Sequence, residues 1–162
     1  TTPRDLENNL DVWIIQMALA ESVAARLRKH GFKCKTVEIT VRDNGLYSFS
    51  RQIHLRQPTN ITNEIVTAAF QLFKDNYKWE HPIRSLGIRA ADLVLDDIPV
   101  QLDLFGNQEK KEKLEKLDRT VDEIRRRFGY FSIQRAAMYQ DKVLSHLDAG
   151  THTIHPHSYF HR

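Results

Sequence analysis

Apolar residues recur at helical spacing from the start of the chain. Leu10, Trp13, Ile14, Met17, Ala20, Ala24 and Leu27 mark one stripe and predict a helix over 6–30. Thr2 and Asp5 resemble a capping box before it, and Gly31 is a natural stop after it. The period then changes to two. Val37, Ile39 and Val41 alternate with Thr36, Glu38, Thr40 and Arg42, predicting a strand over 36–42. Tyr47, Phe49, Ile53 and Leu55 alternate with Ser48, Ser50, Gln52, His54 and Arg56, predicting a second over 47–56. Asp43, Asn44 and Gly45 between them signal a tight turn, so the two strands form a hairpin. One face of that hairpin is apolar and the other polar. Arg51 is the exception, because parity places it on the apolar side, where it sits at an edge, sits at a bulge or snorkels.

A second helix is predicted over 62–77, with Ile65, Val66, Ala69, Phe70 and Phe73 buried and Thr59, Asn60 or Thr62 as its cap. After His81 and Pro82, residues 83–89 read as a third strand, with Gly87 suggesting a bulge. Two helices and an antiparallel sheet in this order imply an α+β fold. Both helices cover one sheet face, and the polar face stays open. Residues 90–99 read as a linker. Leu114, Leu117, Val121, Ile124 and Phe128 then form a narrow apolar seam on a charged helix over 110–128, packed on its own domain or on the tail and stopped by Gly129. One further element falls in 132–139, and the chain is loop-like and histidine-rich from Leu147. The expected organisation is a folded domain over 1–95, a linker over 96–108 and a C-terminal helical segment with its tail over 109–162.

Composition narrows the functional classes. A hydrophobic fraction of 41% supports a real core, and a net charge of +3 with a pI near 9.0 is compatible with nucleic acid without demanding it. Basic residues concentrate early: Arg26, Arg28, Lys29, Lys33, Lys35, Arg42, Arg51 and Arg56 face only Glu38 and Asp43 as acids. The single cysteine, Cys34, excludes an intrachain disulfide, fits a reducing cytosol and reads as a core residue. No run approaches the ~18 apolar residues that span a membrane, so a cytoplasmic protein is expected. The opening Thr1, Thr2 and Pro3 read as the cut end of a longer chain. No paired acids in a folded element, nucleophile motif or phosphate-binding glycine loop supports a hydrolase. His152, His155, His157 and His161 have zinc-like spacings, but no cysteine accompanies them and Pro156 interrupts them; no metal site is assigned.

The most distinctive stretch is Gln101, Leu102, Asp103, Leu104 and Phe105, set between Pro99 and Gly106. Two adjacent large apolar side chains in so polar a setting read as an anchor for a pocket on another protein, with the Gln101 amide at its lip. The pentapeptide resembles the sliding-clamp-binding motif of bacterial polymerases and repair factors. Taken with the polar-faced hairpin, the strand Ile83, Arg84, Ser85, Leu86, Gly87, Ile88, Arg89 and the helix ending Ile124, Arg125, Arg126, Arg127, Phe128, Gly129, it resembles the C-terminal portion of Y-family translesion DNA polymerases. The likeness is to the bacterial DNA polymerase IV type, related to ImpB, MucB and SamB, and it covers nearly the whole chain.

That resemblance implies a little finger, or polymerase-associated domain. Such a domain is a four-stranded antiparallel sheet with two helices on one face, its open face lying along the DNA major groove. Only residues 1–4 are available for the strand before the first helix. The resemblance also implies a catalytic palm, with paired carboxylates on magnesium, and nothing here resembles one. Asp96 and Asp97 are an adjacent pair in the linker and read as solvated. The expectation is therefore a fragment without polymerase activity or cofactor of its own, drawn from a parent that acts in DNA repair and damage tolerance.

On the open face Arg42, Arg56, Arg84 and Arg89 can neutralise phosphates. Thr36, Thr40, Ser48, Ser50, Gln52, His54 and Ser85 can hydrogen-bond to backbone oxygens. The resemblance singles out Ser50, Arg51, Arg84, Ser85 and Arg89. The expected partners are duplex or primer-template DNA, damaged or not, and the bacterial sliding clamp, the polymerase III beta subunit. The alternative is a free-standing adaptor that binds the clamp without DNA.

Overall fold

Asn8 sets where the first helix begins. In the computed structural model, which describes residues 1–97 and 108–147, helix α1 spans Asn9–Lys29, and the Asn8 side chain accepts a hydrogen bond from the Asp11 N–H. Thr2 does not take the capping role expected of it. Its hydroxyl donates instead to the Arg84 carbonyl at 2.9 Å. Gly31 ends the helix in the left-handed region, at φ +69°.

Strand β1 (Phe32–Asp43) and strand β2 (Ser48–Thr59) form the expected hairpin. Its turn differs in one detail: Leu46, not Gly45, takes the positive φ, at 72°. The Asp43 carboxylate holds that turn by accepting from the Tyr47 N–H at 3.0 Å. Helix α2 (Thr62–Asn76) crosses back over the sheet, and strand β3 (Ile83–Leu95) pairs with the other edge of β1. The order is β2-β1-β3, all antiparallel.

Three expectations change here. The described residues contain three strands rather than four. Where a first strand was expected, a single antiparallel bridge joins Leu6 to Ile83. Strand β3 continues through residues read as a linker, because Ala91, Leu93, Val94 and Leu95 pair with Thr36, Cys34, Lys33 and Phe32. Gly87 stays in register opposite Thr40, and the register shift falls instead between Arg42 and Asp43, where Arg84 is the extra residue on β3.

α1 and α2 cover one sheet face and each other. Their core holds Ile14, Ile15, Met17, Ile65 and Phe73 against Val37, Ile39, Val41 and Ile83. α1 is buried on more sides than its stripe predicted, although Leu10 is about half exposed. Three of the charged residues buried on it find charged partners. Asp11 meets Arg4 at 2.8 Å, Glu21 meets Arg125 at 2.9 Å, and Arg28 meets Asp118 at 3.1 Å and Asp122 at 2.6 Å.

Most of those partners come from the C-terminal segment. Helix α3 (Gln108–Phe128) packs on the domain chiefly through ionic residues, and of its apolar seam Leu114, Val121 and Ile124 are half-buried. Asp118 is 5% exposed, whereas Leu117 is 51% and Phe128 72% exposed. Two 3-10 turns, Tyr130–Ser132 and Ala136–Gln140, follow, and then the one-turn helix α4 (Lys142–Ser145). Asp141 caps α4 and pairs with Arg4 at 2.7 Å, which holds its carboxyl below the usual aspartate range. No described helix is long and apolar enough to cross a membrane.

Candidate nucleic-acid interface

Pairing register decides which side chains share the uncovered face. Residues directly opposite one another in an antiparallel ladder point to the same side. Arg42 stands between Ser48 and Ser85, Thr40 between Ser50 and Gly87, Glu38 between Gln52 and Arg89, and Thr36 between His54 and Ala91. The alternating partners Val37, Ile39 and Val41 are buried beneath the helices. The face opposite the helices is therefore a band of hydroxyls, amides, an imidazole and guanidinium groups on three strands.

The hydrogen bonding leaves much of this band available. Thr40 and Ser50 share a hydroxyl contact at 3.1 Å. Arg89 lies 3.8 Å from Glu38, too long to hold the guanidinium firmly. Arg42 and Arg56 are exposed, and neither makes an ion pair with a described residue. Two arginines among the expected contacts lie elsewhere. Arg51 pairs with Ile39 in register and so belongs to the helix-covered side. It escapes burial over the edge strand: its guanidinium lies 5.4 Å over the Phe49 ring and donates to Asn76 Oδ1 at 3.2 Å. Arg84 sits at the register shift and meets Asp5 at 3.1 Å, beside Arg42 and Ser85 at one corner of the sheet.

Sequence reasoning missed one residue on this face. Asp92 fell in the presumed linker, yet it has left-handed backbone, at φ 51°, and its carboxylate accepts from the Thr36 hydroxyl. Thr36 also contacts His54 Nδ1 at 2.7 Å, which links Asp92, Thr36 and His54 across all three strands. A positive φ on a non-glycine residue inside a strand was not readable from composition. The proposed clamp contacts, Gln101 to Phe105, lie outside the described residues, as do His152, His155, His157 and His161. Cys34 is fully buried, its thiol donates to the Thr59 carbonyl at 3.4 Å, and burial pushes its pKa up to about 11, so it is an inert core residue.

The sequence that builds this sheet and its helices has relatives among known proteins. Residues 1–104 match the impB/mucB/samB family C-terminal domain. This chain belongs to that family. It is 44% identical over 147 residues to the DNA polymerase IV of Acetivibrio thermocellus, covering 91% of the chain and 37% of that protein. Against the DNA polymerase IV of Pelotomaculum thermopropionicum it is 33% identical over 136 residues, 84% of the chain and 33% of the relative. Against the DNA polymerase IV 2 of Bacillus subtilis it is 35% identical over 141 residues, 85% of the chain and 33% of the relative. The chain thus spans about a third of the length of the curated relatives it matches. The little-finger domain of this family here has three paired strands, with the N-terminal segment attached to β3 by the Leu6 bridge.

Proposed function

We propose that this domain is the DNA-gripping and clamp-docking part of a bacterial translesion polymerase that acts in damage tolerance in the cytoplasm. Catalysis, with its magnesium ions, belongs to a palm elsewhere in the parent protein. The observation that carries the reading is the uncovered sheet face. Arg42 stands there without a described carboxylate partner, amid Ser48, Ser50, Gln52, His54 and Ser85, and exposed Arg56 follows His54 by two residues where the β1–β2 pairing shifts register. Such groups suit phosphate and sugar contacts, which fix a duplex in place without reading its sequence. Sequence-blind grip is what a polymerase working on damaged template requires. Residues Gln101, Leu102, Asp103, Leu104 and Phe105 would tether the parent to the sliding clamp and raise its effective concentration at primer ends.

The test is a salt titration. Binding of a primer-template duplex should fall linearly on a log-log plot, with a slope of about −0.9 per neutralised phosphate. Two unrelated duplex sequences should give the same line. Affinity insensitive to salt, or strong preference for one sequence, would count against phosphate-driven grip. Clamp binding with no DNA binding would favour an adaptor instead.

A further inference from the structure

A carboxylate is out of place on a surface meant for phosphates, and Asp92 is held there at the cost of left-handed backbone. Asp and Asn tolerate that conformation better than most residues, but it is uncommon inside a strand and marks a place where function is worth seeking. In return, the Asp92 carboxylate reaches the hydroxyl of Thr36, a residue that is 1% exposed and held in the middle strand.

The proton positions follow from donor counting. A carboxylate only accepts, so Thr36 must give its one hydroxyl proton to Asp92. The Thr36 oxygen can then only accept from His54 Nδ1, 2.7 Å away. In the neutral imidazole the single ring proton is thereby fixed on Nδ1. Nε2 is left as a bare acceptor on a side chain that is 73% exposed. A bare acceptor cannot hydrogen-bond to a phosphate oxygen, and Asp92 adds repulsion. Once a proton is added to Nε2, the ring becomes a cation. It then donates outward from Nε2 while Nδ1, 3.8 Å from Asp92 Oδ2, keeps its link to the relay.

We propose that Thr36, His54 and Asp92 form a phosphate subsite in which His54 binds a DNA phosphate only as the imidazolium, so that gripping DNA takes up a proton from solvent. Asp92 is a positioning residue. It sets the tautomer through Thr36 and partners the charged ring. The other charged groups around the imidazole are Arg56 two residues along β2, Glu38 on β1 and Arg89 on β3, and the last two face each other. Lys35 is exposed beside Thr36 on β1, α1 and α2 pack on the other face, and α3 brings Lys111 to Gln57 on β2 at 2.7 Å and Arg119 to Asp96 past the end of β3 at 3.6 Å. This inference rests on the DNA-binding reading above, but half of its test does not need DNA.

The first measurement is nitrogen NMR of the imidazole in the free protein. The neutral ring should carry its proton on Nδ1, and the Nε2–H tautomer would overturn the relay. The second is duplex affinity between pH 8 and pH 6 at fixed ionic strength. Histidine changes charge in this range, and one linked proton allows at most about tenfold per pH unit. Wild-type affinity should rise by about three- to tenfold over that interval, and His54→Gln should remove most of the rise. Asp92→Asn lets the amide donate to Thr36 and frees Thr36 to donate to Nδ1. The neutral ring can then carry its proton on Nε2, so this variant should bind more tightly at pH 8 and show a flattened profile. All variants must melt like the parent. A His54→Gln profile as steep as wild type overturns this subsite and leaves phosphate grip standing; no binding of duplex at any pH overturns both.

Discussion

Gln16 lies fully buried on α1, where its neighbours are apolar. Its amide nitrogen is 3.4 Å from the Ala69 carbonyl on α2, a long contact, and its Oε1 has no described partner. A buried acceptor without a donor costs roughly 1–3 kcal/mol, which a contact so long does not offset. Methionine has similar length and no such acceptor, and its flexible thioether adapts to irregular gaps. Gln16→Met should therefore raise stability by about 1 kcal/mol, read as a higher urea midpoint with an unchanged slope. A lower midpoint would show that the amide does more for the α1–α2 contact than its geometry suggests. The same reasoning separates Arg51 from the other arginines. Its guanidinium lies over the Phe49 ring and donates to Asn76 Oδ1, so it serves the edge of the sheet rather than the open face.

At the scale of elements, the N-terminus of α2 is the least self-sufficient part of the fold. Ile61 occupies its cap position and offers no side-chain acceptor. The Thr62 N–H instead donates to Asp118 Oδ2 at 2.8 Å, from α3. The same carboxylate pairs with buried Arg28, which also donates to the Asn60 carbonyl at 2.7 Å. One residue of α3 thus caps α2 and neutralises α1. Asp118→Ala leaves a buried guanidinium with less compensation and should cost about 3–5 kcal/mol in chemical denaturation, the range for breaking a buried pair. Asp118→Asn can still accept from Thr62 and should cost less. Leu117→Ala, next door but half exposed, should be close to neutral. If Asp118→Ala were as mild as Leu117→Ala, α3 would be an appendage rather than part of the domain.

This dependence also explains what the sequence could and could not reveal. The hairpin and α2 were legible because their period and turn signals are local: Val37, Ile39 and Val41 alternate wherever the chain goes. The far half of β3 was not legible, since Ala90, Ala91 and Asp92 have linker composition and become strand only by pairing with β1. The α2 cap was out of reach for the same reason, because Asp118 lies 56 residues from the amide it serves. The open face was largely readable from parity, which also set Arg51 on the other side. Asp92 was not, because its place depends on a backbone conformation that no spacing announces.

For the whole molecule, the proposed grip and the proposed tether fall on different stretches of the chain. The open face belongs to β1, β2 and β3, while α3 is fastened behind it to α1 through Arg28, Glu21 and their partners. In sequence, the segment from Gln101 to Phe105 lies between β3 and α3. Two double variants should therefore divide the functions. Arg42→Ala with Arg56→Ala removes two exposed cations and should weaken duplex binding at low salt. It should lower the salt slope by about 0.9 for each phosphate left unneutralised, and clamp affinity should stay as it was. Leu104→Ala with Phe105→Ala removes the apolar anchor and should abolish clamp binding, since such anchors dominate small interfaces. Duplex affinity should be unchanged, because neither side chain has charge to offer a phosphate. Both proteins are first compared with the parent by thermal melting, then titrated separately against duplex and against a bacterial clamp. Loss of both activities in either folded variant would mean that the two surfaces are coupled, and the division of labour between sheet and motif would have to be abandoned.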